Sequence, residues 1–314
     1  MKVAVLGAGA MGLRYGLLLQ SAGTDVDFVE PWDKNYNKVK EQGGVFVARN
    51  GKDRHLVQVN MFKPDEYKES PDLVILFVKQ MDNEKTLEAS KHFLNQNTYV
   101  LTNQNGMGAV NVIAKYVPRQ HIIAGTAFAA SILNGPGDVN VMGGRGSGQV
   151  HLVNVTEQPD DFTNQVVEEF DKAGMNPSLS ENYKGTLWQK LLLNSVVNTL
   201  CTLMDITMGE YQTFSEADEL TSELVNEAYA VADADGVKML KSADEMTKVI
   251  ADENRRLKDH RPSMYQDMSH NRPTEVDYIN GYIVKKAAEH GLTAPHHEML
   301  VKLVHLSEQM KAKE

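Results

Sequence analysis

The sequence predicts an α/β domain followed by an all-α domain. Three observations carry this. A glycine-rich turn at residues 7–12 stands between an apolar, β-branched run and a helical pattern. Continuous apolar runs then alternate with helical stretches as far as about residue 180. From about Tyr183 onward, helical spacing takes over throughout.

Val3-Ala4-Val5-Leu6 reads as the first strand, and Gly7-Ala8-Gly9-Ala10-Met11-Gly12 follows it directly. Leu13, Gly16, Leu17, Leu18 and Leu19 open a helix. Strand, glycine turn and helix occur in the order that a dinucleotide needs. Gly7 permits the tight turn, Gly9 lets the backbone approach a pyrophosphate, and Gly12 lets the helix pack on the strand. The helix N-terminus adds unpaired N–H groups and a partial positive charge. The first domain therefore reads as a Rossmann fold.

A second strand over 26–29 ends at Glu30, about where the acidic residue of the fingerprint belongs. A carboxylate there can accept hydrogen bonds from both ribose hydroxyls of the adenosine half and would repel a 2′-phosphate. Pro31-Trp32-Asp33 follow, and the nearest base in the sequence is Lys34. This favours NAD(H) over NADP(H). Trp32 fits stacking on the adenine or a partly buried loop position.

The runs 73–78, 98–102 and 121–126 are further strands, the first apolar throughout as for a strand covered on both faces. Stretches 83–94 and 109–116 are helical. Between 135 and 155 the character changes: Gly135-Pro136-Gly137 and Gly143-Gly144-Arg145-Gly146-Ser147-Gly148 alternate with short β segments. This predicts an antiparallel hairpin closing the sheet's edge. The second glycine stretch has no strand immediately before it and no helix after it, so it reads as a hairpin turn rather than a second phosphate loop. Helical spacing then covers 187–203, 217–236, 242–257, 275–291 and 297–311. The boundary is set at 180, giving domains 1–180 and 181–314, with 311–314 a frayed end.

A net charge of −10 argues against nucleic acid and anionic membranes as partners. An anionic substrate must be met by local positive groups. Cys201 is the sole cysteine, which excludes an intrachain disulfide and a cysteine zinc site, and no metal is expected. In its apolar helical setting Cys201 reads as a buried small hydrophobe. No apolar stretch is long enough to span a bilayer, and no signal-like segment opens the chain, so the cytoplasm is the expected compartment.

The candidates for chemistry lie mainly in the second domain. Lys190, Asn194 and Asn198 are four residues apart and share a helix face with modest drift. Leu187, Trp188, Leu191, Leu192, Leu193, Val196, Val197 and Leu200 surround them. The pattern fits a polar cleft wall, or a solvated stripe on an amphipathic helix. Pro262-Ser263-Met264-Tyr265-Gln266-Asp267 precedes Thr274-Glu275, where Thr274 fits the cap of a helix that Glu275 enters. Asn103-Gln104-Asn105-Gly106-Met107-Gly108 follows a strand, where ligands bind in open α/β sheets, although Asn-Gly is also a turn dipeptide.

Together GAGAMG at 7–12, QNGMG at 104–108, WQKLLLNSVVN at 188–198 and SMYQD…TEVDYINGY at 263–282 resemble the ketopantoate reductase (2-dehydropantoate 2-reductase) family from end to end. The resemblance implies a Rossmann domain and a helical substrate-binding and dimerisation domain, with the active site between them. It makes Lys190 the catalytic lysine, Asn194 and Asn198 substrate-binding, Asn105 a contact for substrate and cofactor, Ser263 the substrate-carboxylate residue, Glu275 the acidic residue of the site, and Lys79 a cofactor neighbour. It implies a small 2-oxo or 2-hydroxy acid as substrate and a homodimer. Members usually prefer NADPH and often carry a base after the second strand. Here Glu30-Pro31 stands there, and His260-Arg261-Pro262 precedes Ser263. These departures lean toward an NAD-dependent D-2-hydroxyacid dehydrogenase of the D-mandelate type, with reduction of ketopantoate to pantoate by NADPH as the alternative. Arg261 fits a carboxylate ligand or an exposed surface position. A 3-hydroxyacid dehydrogenase is disfavoured by QNGMG and TEVDYING, and a non-catalytic NAD sensor is the reading from another class.

Overall fold

The computed structural model describes residues 1–143 and 146–312. The chain forms two compact units, 1–104 with 109–183, and 105–108 with 184–314.

Among the described residues, the first unit holds twelve strands: β1 (Lys2–Leu6), β2 (Asp25–Val29), β3 (Val45–Arg49), β4 (Lys52–Val57), β5 (Asn60–Phe62), β6 (Leu73–Leu76), β7 (Tyr99–Thr102), β8 (Ile122–Phe128), β9 (Ser131–Gly135), β10 (Asp138–Val141), β11 (Gln149–Asn154) and β12 (Pro177–Leu179). Its helices are α1 (Ala10–Ser21), α2 (Asp33–Gln42), α3 (Asn83–Ser90), α4 (Ala109–Ile113) and α5 (Asp161–Lys172). The main sheet runs β12-β11-β8-β7-β6-β1-β2-β5. It is parallel from β5 through β8, and β11 pairs antiparallel with β8. The chain leaves β1 toward β2 and β5, then returns to β6 on β1's other side. That reversal opens a crevice at the carboxyl end of β1, where the glycine turn lies. Leu73, Val74, Ile75 and Leu76 are all fully buried, which explains the apolar run of β6. Each such side chain contributes about 1.5–3 kcal/mol by leaving water.

The hairpin predicted over 135–155 does not close that sheet. β9 and β10 form an antiparallel pair in a separate four-stranded sheet, β4-β3-β10-β9, and only β11 joins the main sheet. The reason is a hairpin the sequence reading missed: β3 and β4 pair across Asn50-Gly51, and β3 offers its other edge to β10. Of the second glycine stretch, 144–145 lie outside the described residues, as do 313–314 of the terminus expected to fray.

The second unit is helical: α6 (Tyr183–Met204, whose first residue belongs to the first unit), α7 (Met208–Gln212), α8 (Ala217–Ala234), α9 (Ala243–Arg256), α10 (Ser263–Ser269), α11 (Asn280–Glu289) and α12 (Pro295–Lys311). Local sequence explains several starts. Ser242 and Glu245 form a capping box for α9, Thr207 and Glu210 one for α7, and Pro295 sits in the first turn of α12. The helix predicted over 275–291 begins later. Residues Val276–Tyr278 form a 3₁₀ turn, Ile279 breaks the helical dihedrals, and α11 starts at Asn280. Thr274 Oγ1 accepts the Val276 N–H at 3.4 Å, so it caps the turn rather than the helix.

Candidate functional site

In the first unit, the glycine turn has the shape that a dinucleotide phosphate needs. Gly7 adopts φ +100°, and a Cβ there would meet the Val78 nitrogen at 2.7 Å. A Cβ on Gly12 would lie 1.9 Å from the Gly7 carbonyl oxygen, so only glycine lets α1 start this close to β1. At Gly9 a Cβ would meet nothing within 4 Å, leaving that face open for a ligand. The first α1 hydrogen bond runs from Leu13 N–H to Gly9. The N–H groups of Ala10, Met11 and Gly12 therefore stand ahead of the ladder. No acidic side chain occupies that first turn. These features fit the pyrophosphate of a nicotinamide dinucleotide.

Glu30 directly follows β2 and is almost fully buried. One carboxylate oxygen accepts the Trp32 N–H at 2.8 Å; the other accepts the Ala8 N–H at 2.9 Å and the Asn35 side-chain amide at 2.8 Å. Burial pushes its carboxyl above the usual value, and these three donors oppose the shift. Glu30 thus ties the glycine turn to the start of α2. Asn35, fully buried, completes the brace by donating to the Ala8 carbonyl and accepting the Gly137 N–H. Trp32 precedes α2 with 44% of its surface exposed. Lys79, partly buried, follows the end of β6 and starts the 3₁₀ turn Gln80–Asp82.

In the second unit, α6 sets Lys190, Asn194 and Asn198 on one row. The solvated-stripe alternative fails, because Asn194 and Asn198 are buried and Lys190 is partly so. Asn194 Nδ2 donates to Asn105 Oδ1, Asn105 Nδ2 to Ser263 Oγ, and Asn198 Nδ2 to Ser263 Oγ, each at 3.4 Å. Four predicted residues therefore meet in one chain of hydrogen bonds. Loop 105–108 is seated by Met107 N–H donating to the Tyr278 carbonyl at 2.8 Å. Glu275 is buried at the head of that same turn, its carbonyl accepting the Tyr278 N–H.

Desolvation lowers the Lys190 pKa to about 8, against the opposing charge of Glu253 on α9. The sequence carried no sign of Glu253, which comes from a helix some sixty residues later (253 − 190 = 63). His260 is held below its usual value by desolvation and then by the Lys190 charge. Arg261 is paired with Asp205 and stacks 4.4 Å from the Tyr265 ring, which accounts for it without a substrate.

A glycine turn shaped for a dinucleotide in the first unit, and in the second a lysine of lowered pKa on one helix row with two buried amides, are residue types that a nicotinamide-dependent oxidoreductase uses. The comparisons with known proteins agree. The profile of "Ketopantoate reductase PanE/ApbA" matches residues 3–154, and that of "Ketopantoate reductase PanE/ApbA C terminal" matches 182–308. The 2-dehydropantoate 2-reductase of Streptococcus pyogenes serotype M6 is 32% identical over 309 residues, covering 98% of both chains. That of Lactococcus lactis is 32% identical over 318 residues, covering all of both. A solved structure of D-mandelate dehydrogenase with NADH and anilino(oxo)acetate superposes with TM-score 0.92 at 33% identity, covering 99% of each chain. The chain belongs to the ketopantoate reductase family. No helix among the described residues is long and apolar enough to cross a membrane.

Proposed function

We propose that the chain is an NAD(H)-dependent oxidoreductase interconverting a 2-oxo acid, branched or aryl-substituted beside the carbonyl, with its D-2-hydroxy acid. The observation that carries the reading is Lys190, its pKa near 8, on one helix row with Asn194 and Asn198, whose amides join Asn105 and Ser263. Gly7, Ala8, Gly9, Ala10, Met11 and Gly12 hold the cofactor's pyrophosphate, Glu30 its adenosine ribose, and Lys79 and Asn105 lie along its path. The bound nicotinamide supplies the hydride for reduction and takes it up in oxidation.

During reduction, negative charge grows on the substrate's carbonyl oxygen. The Lys190 ammonium stabilises that charge and donates a proton to the oxygen; in the reverse direction its neutral amine removes the hydroxyl proton. Ser263 holds the carboxylate, and the amides of Asn194 and Asn198 bind the substrate by hydrogen bonds without adding net charge. Glu275 positions the lysine or accepts a hydrogen bond from a substrate hydroxyl. Like D-mandelate dehydrogenase, which binds NADH and anilino(oxo)acetate, the chain then takes bulky oxo acids. Reduction of ketopantoate with NADPH is the second reading, favoured by the 2-dehydropantoate 2-reductases aligned over the whole chain.

Initial rates on phenylglyoxylate, ketopantoate and branched 2-oxo acids, each with NADH and NADPH, separate the two. The first reading expects phenylglyoxylate or a branched acid with NADH to give the highest kcat/KM. Ketopantoate with NADPH giving the highest value would replace it with the second.

A further inference from the structure

The sequence places no base nearer to Glu30 than Lys34, but the fold does. Strand β5 runs parallel to β2 in the register Asp27↔Asn60, Phe28↔Met61, Val29↔Phe62. The Glu30 N–H donates to the Phe62 carbonyl at 2.9 Å. The next residue, Lys63, therefore leaves the sheet beside Glu30, at the carboxyl edge where the adenosine half of a dinucleotide binds. Its charge is close enough to act on Glu30. The Lys63 ammonium is ion-paired with Asp33, the first residue of α2, and lies 5.0 Å from the centre of the Tyr36 ring. Only 17% of the Lys63 side chain is exposed, against 81% for Asp33. Behind them Glu66 accepts the Tyr36 hydroxyl at 2.7 Å and the Lys63 N–H at 3.2 Å. The Lys40 ammonium lies 5.6 Å from the centre of the same Tyr36 ring. The cluster thus sets three carboxylates, Glu30, Asp33 and Glu66, against two ammonium groups.

We propose that the Asp33–Lys63 pair sets the choice between the 2′-hydroxyl and the 2′-phosphate of the adenosine ribose. This rests on the assignment of Glu30 to that ribose in the reading above. A 2′-hydroxyl donates to a carboxylate and leaves the pair intact. A 2′-phosphate brings between one and two negative charges to a place that already holds an acidic excess. Its natural ligand there is Lys63, and Asp33 occupies that ammonium. The discrimination is therefore built from a masked cation as well as from the acid at the end of β2. Unmasking Lys63 converts a repelling surface into one with a phosphate ligand already in position.

The test uses the full-length protein and the variants Asp33→Asn, Lys63→Met and their combination. Calorimetry compares 2′,5′-ADP with 5′-AMP, which isolates the 2′-phosphate from turnover, and steady-state kinetics compares NADPH with NADH. Asp33→Asn is expected to raise the affinity for 2′,5′-ADP and the NADPH-to-NADH ratio of kcat/KM by about tenfold, the gain of one unmasked charge-assisted contact. Adding Lys63→Met is expected to abolish that gain. A gain under twofold in Asp33→Asn, or a gain that survives in the double variant, overturns the role of the pair while leaving the NAD reading standing. A wild-type chain that already prefers NADPH overturns the NAD reading itself, and the masking argument with it.

Discussion

A lysine next to a carbonyl substrate is useful in proportion to how easily it changes charge. Lys190 has been moved most of the way. Desolvation brings it from 10.5 to about 8 while Glu253 pulls the other way. The sign of the consequence follows from direction. Reduction needs the ammonium, so kcat/KM for the oxo acid should be flat below about pH 8 and fall above it. Oxidation needs the free amine, so its kcat/KM should rise with pH and level off above about 8. An unshifted lysine would place both breaks near 10.5. Lys190→Ala should lose roughly 100-fold or more in kcat and remove the break, while cofactor binding measured by fluorescence persists. Equal turnover by that variant would remove Lys190 from the chemistry. The row Lys190, Asn194, Asn198 was legible because helical spacing is periodic. Lys63 was not, because 33 residues separate it from Glu30 (63 − 30) and only strand register makes them neighbours.

At the scale of elements, α6 is useful only if its rotation is fixed, and the buried faces of α11 and α12 fix it. The Thr199 hydroxyl donates to Asn280 Oδ1 at 2.7 Å. The Asn280 amide donates to the Ser195 carbonyl at 2.9 Å and to His297 Nδ1 at 3.1 Å. His297 Nε2 faces the Leu224 carbonyl at 3.1 Å. A carbonyl can only accept, so Nε2 carries the hydrogen and Nδ1 accepts. Burial favours this neutral form by lowering the histidine pKa. Ser195 and Thr199 each follow a site asparagine by one residue. Asn280→Ala would leave the Thr199 hydroxyl and His297 Nδ1 buried without partners, so it should cost about 3 kcal/mol in denaturant unfolding. It should also raise KM for the oxo acid as α6 loosens. An unfolding midpoint within error of the wild type would contradict this account. Long helices such as α6 and α8 declare themselves through many turns of spacing. The three-residue strands β5 and β12 are too short for periodicity to show. The β3–β4 hairpin was written in Asn50-Gly51, but its strands carry exposed charged and polar residues, Lys52, Asp53, Arg54 and His55, which hid the alternation.

For the molecule as a whole, α12 has two apolar faces and the second unit covers only one. His297, Leu300 and Val304 are buried. Met299, Leu303, Leu306 and Met310 remain exposed at 57, 40, 53 and 48%. Their spacing of four, three and four residues is that of a coiled-coil seam, a narrow stripe that fits another helix. A second copy of the same helix, antiparallel about a two-fold axis between residues 304 and 305, would match this stripe in shape and charge. That arrangement sets Met299 against Met310, Leu303 against Leu306, and Glu298 against Lys311, so the same patch complements itself. We expect a homodimer of twice the 34.9 kDa chain mass in sedimentation at micromolar concentration. Leu303→Glu with Leu306→Glu would bring like charges face to face across the axis and yield monomers. Both positions point to solvent in the single chain, so the variant should keep its circular dichroism spectrum and its affinity for the cofactor, which separates lost assembly from lost folding. A monomeric wild type, or a double variant that still sediments as a dimer, would move the contact away from α12.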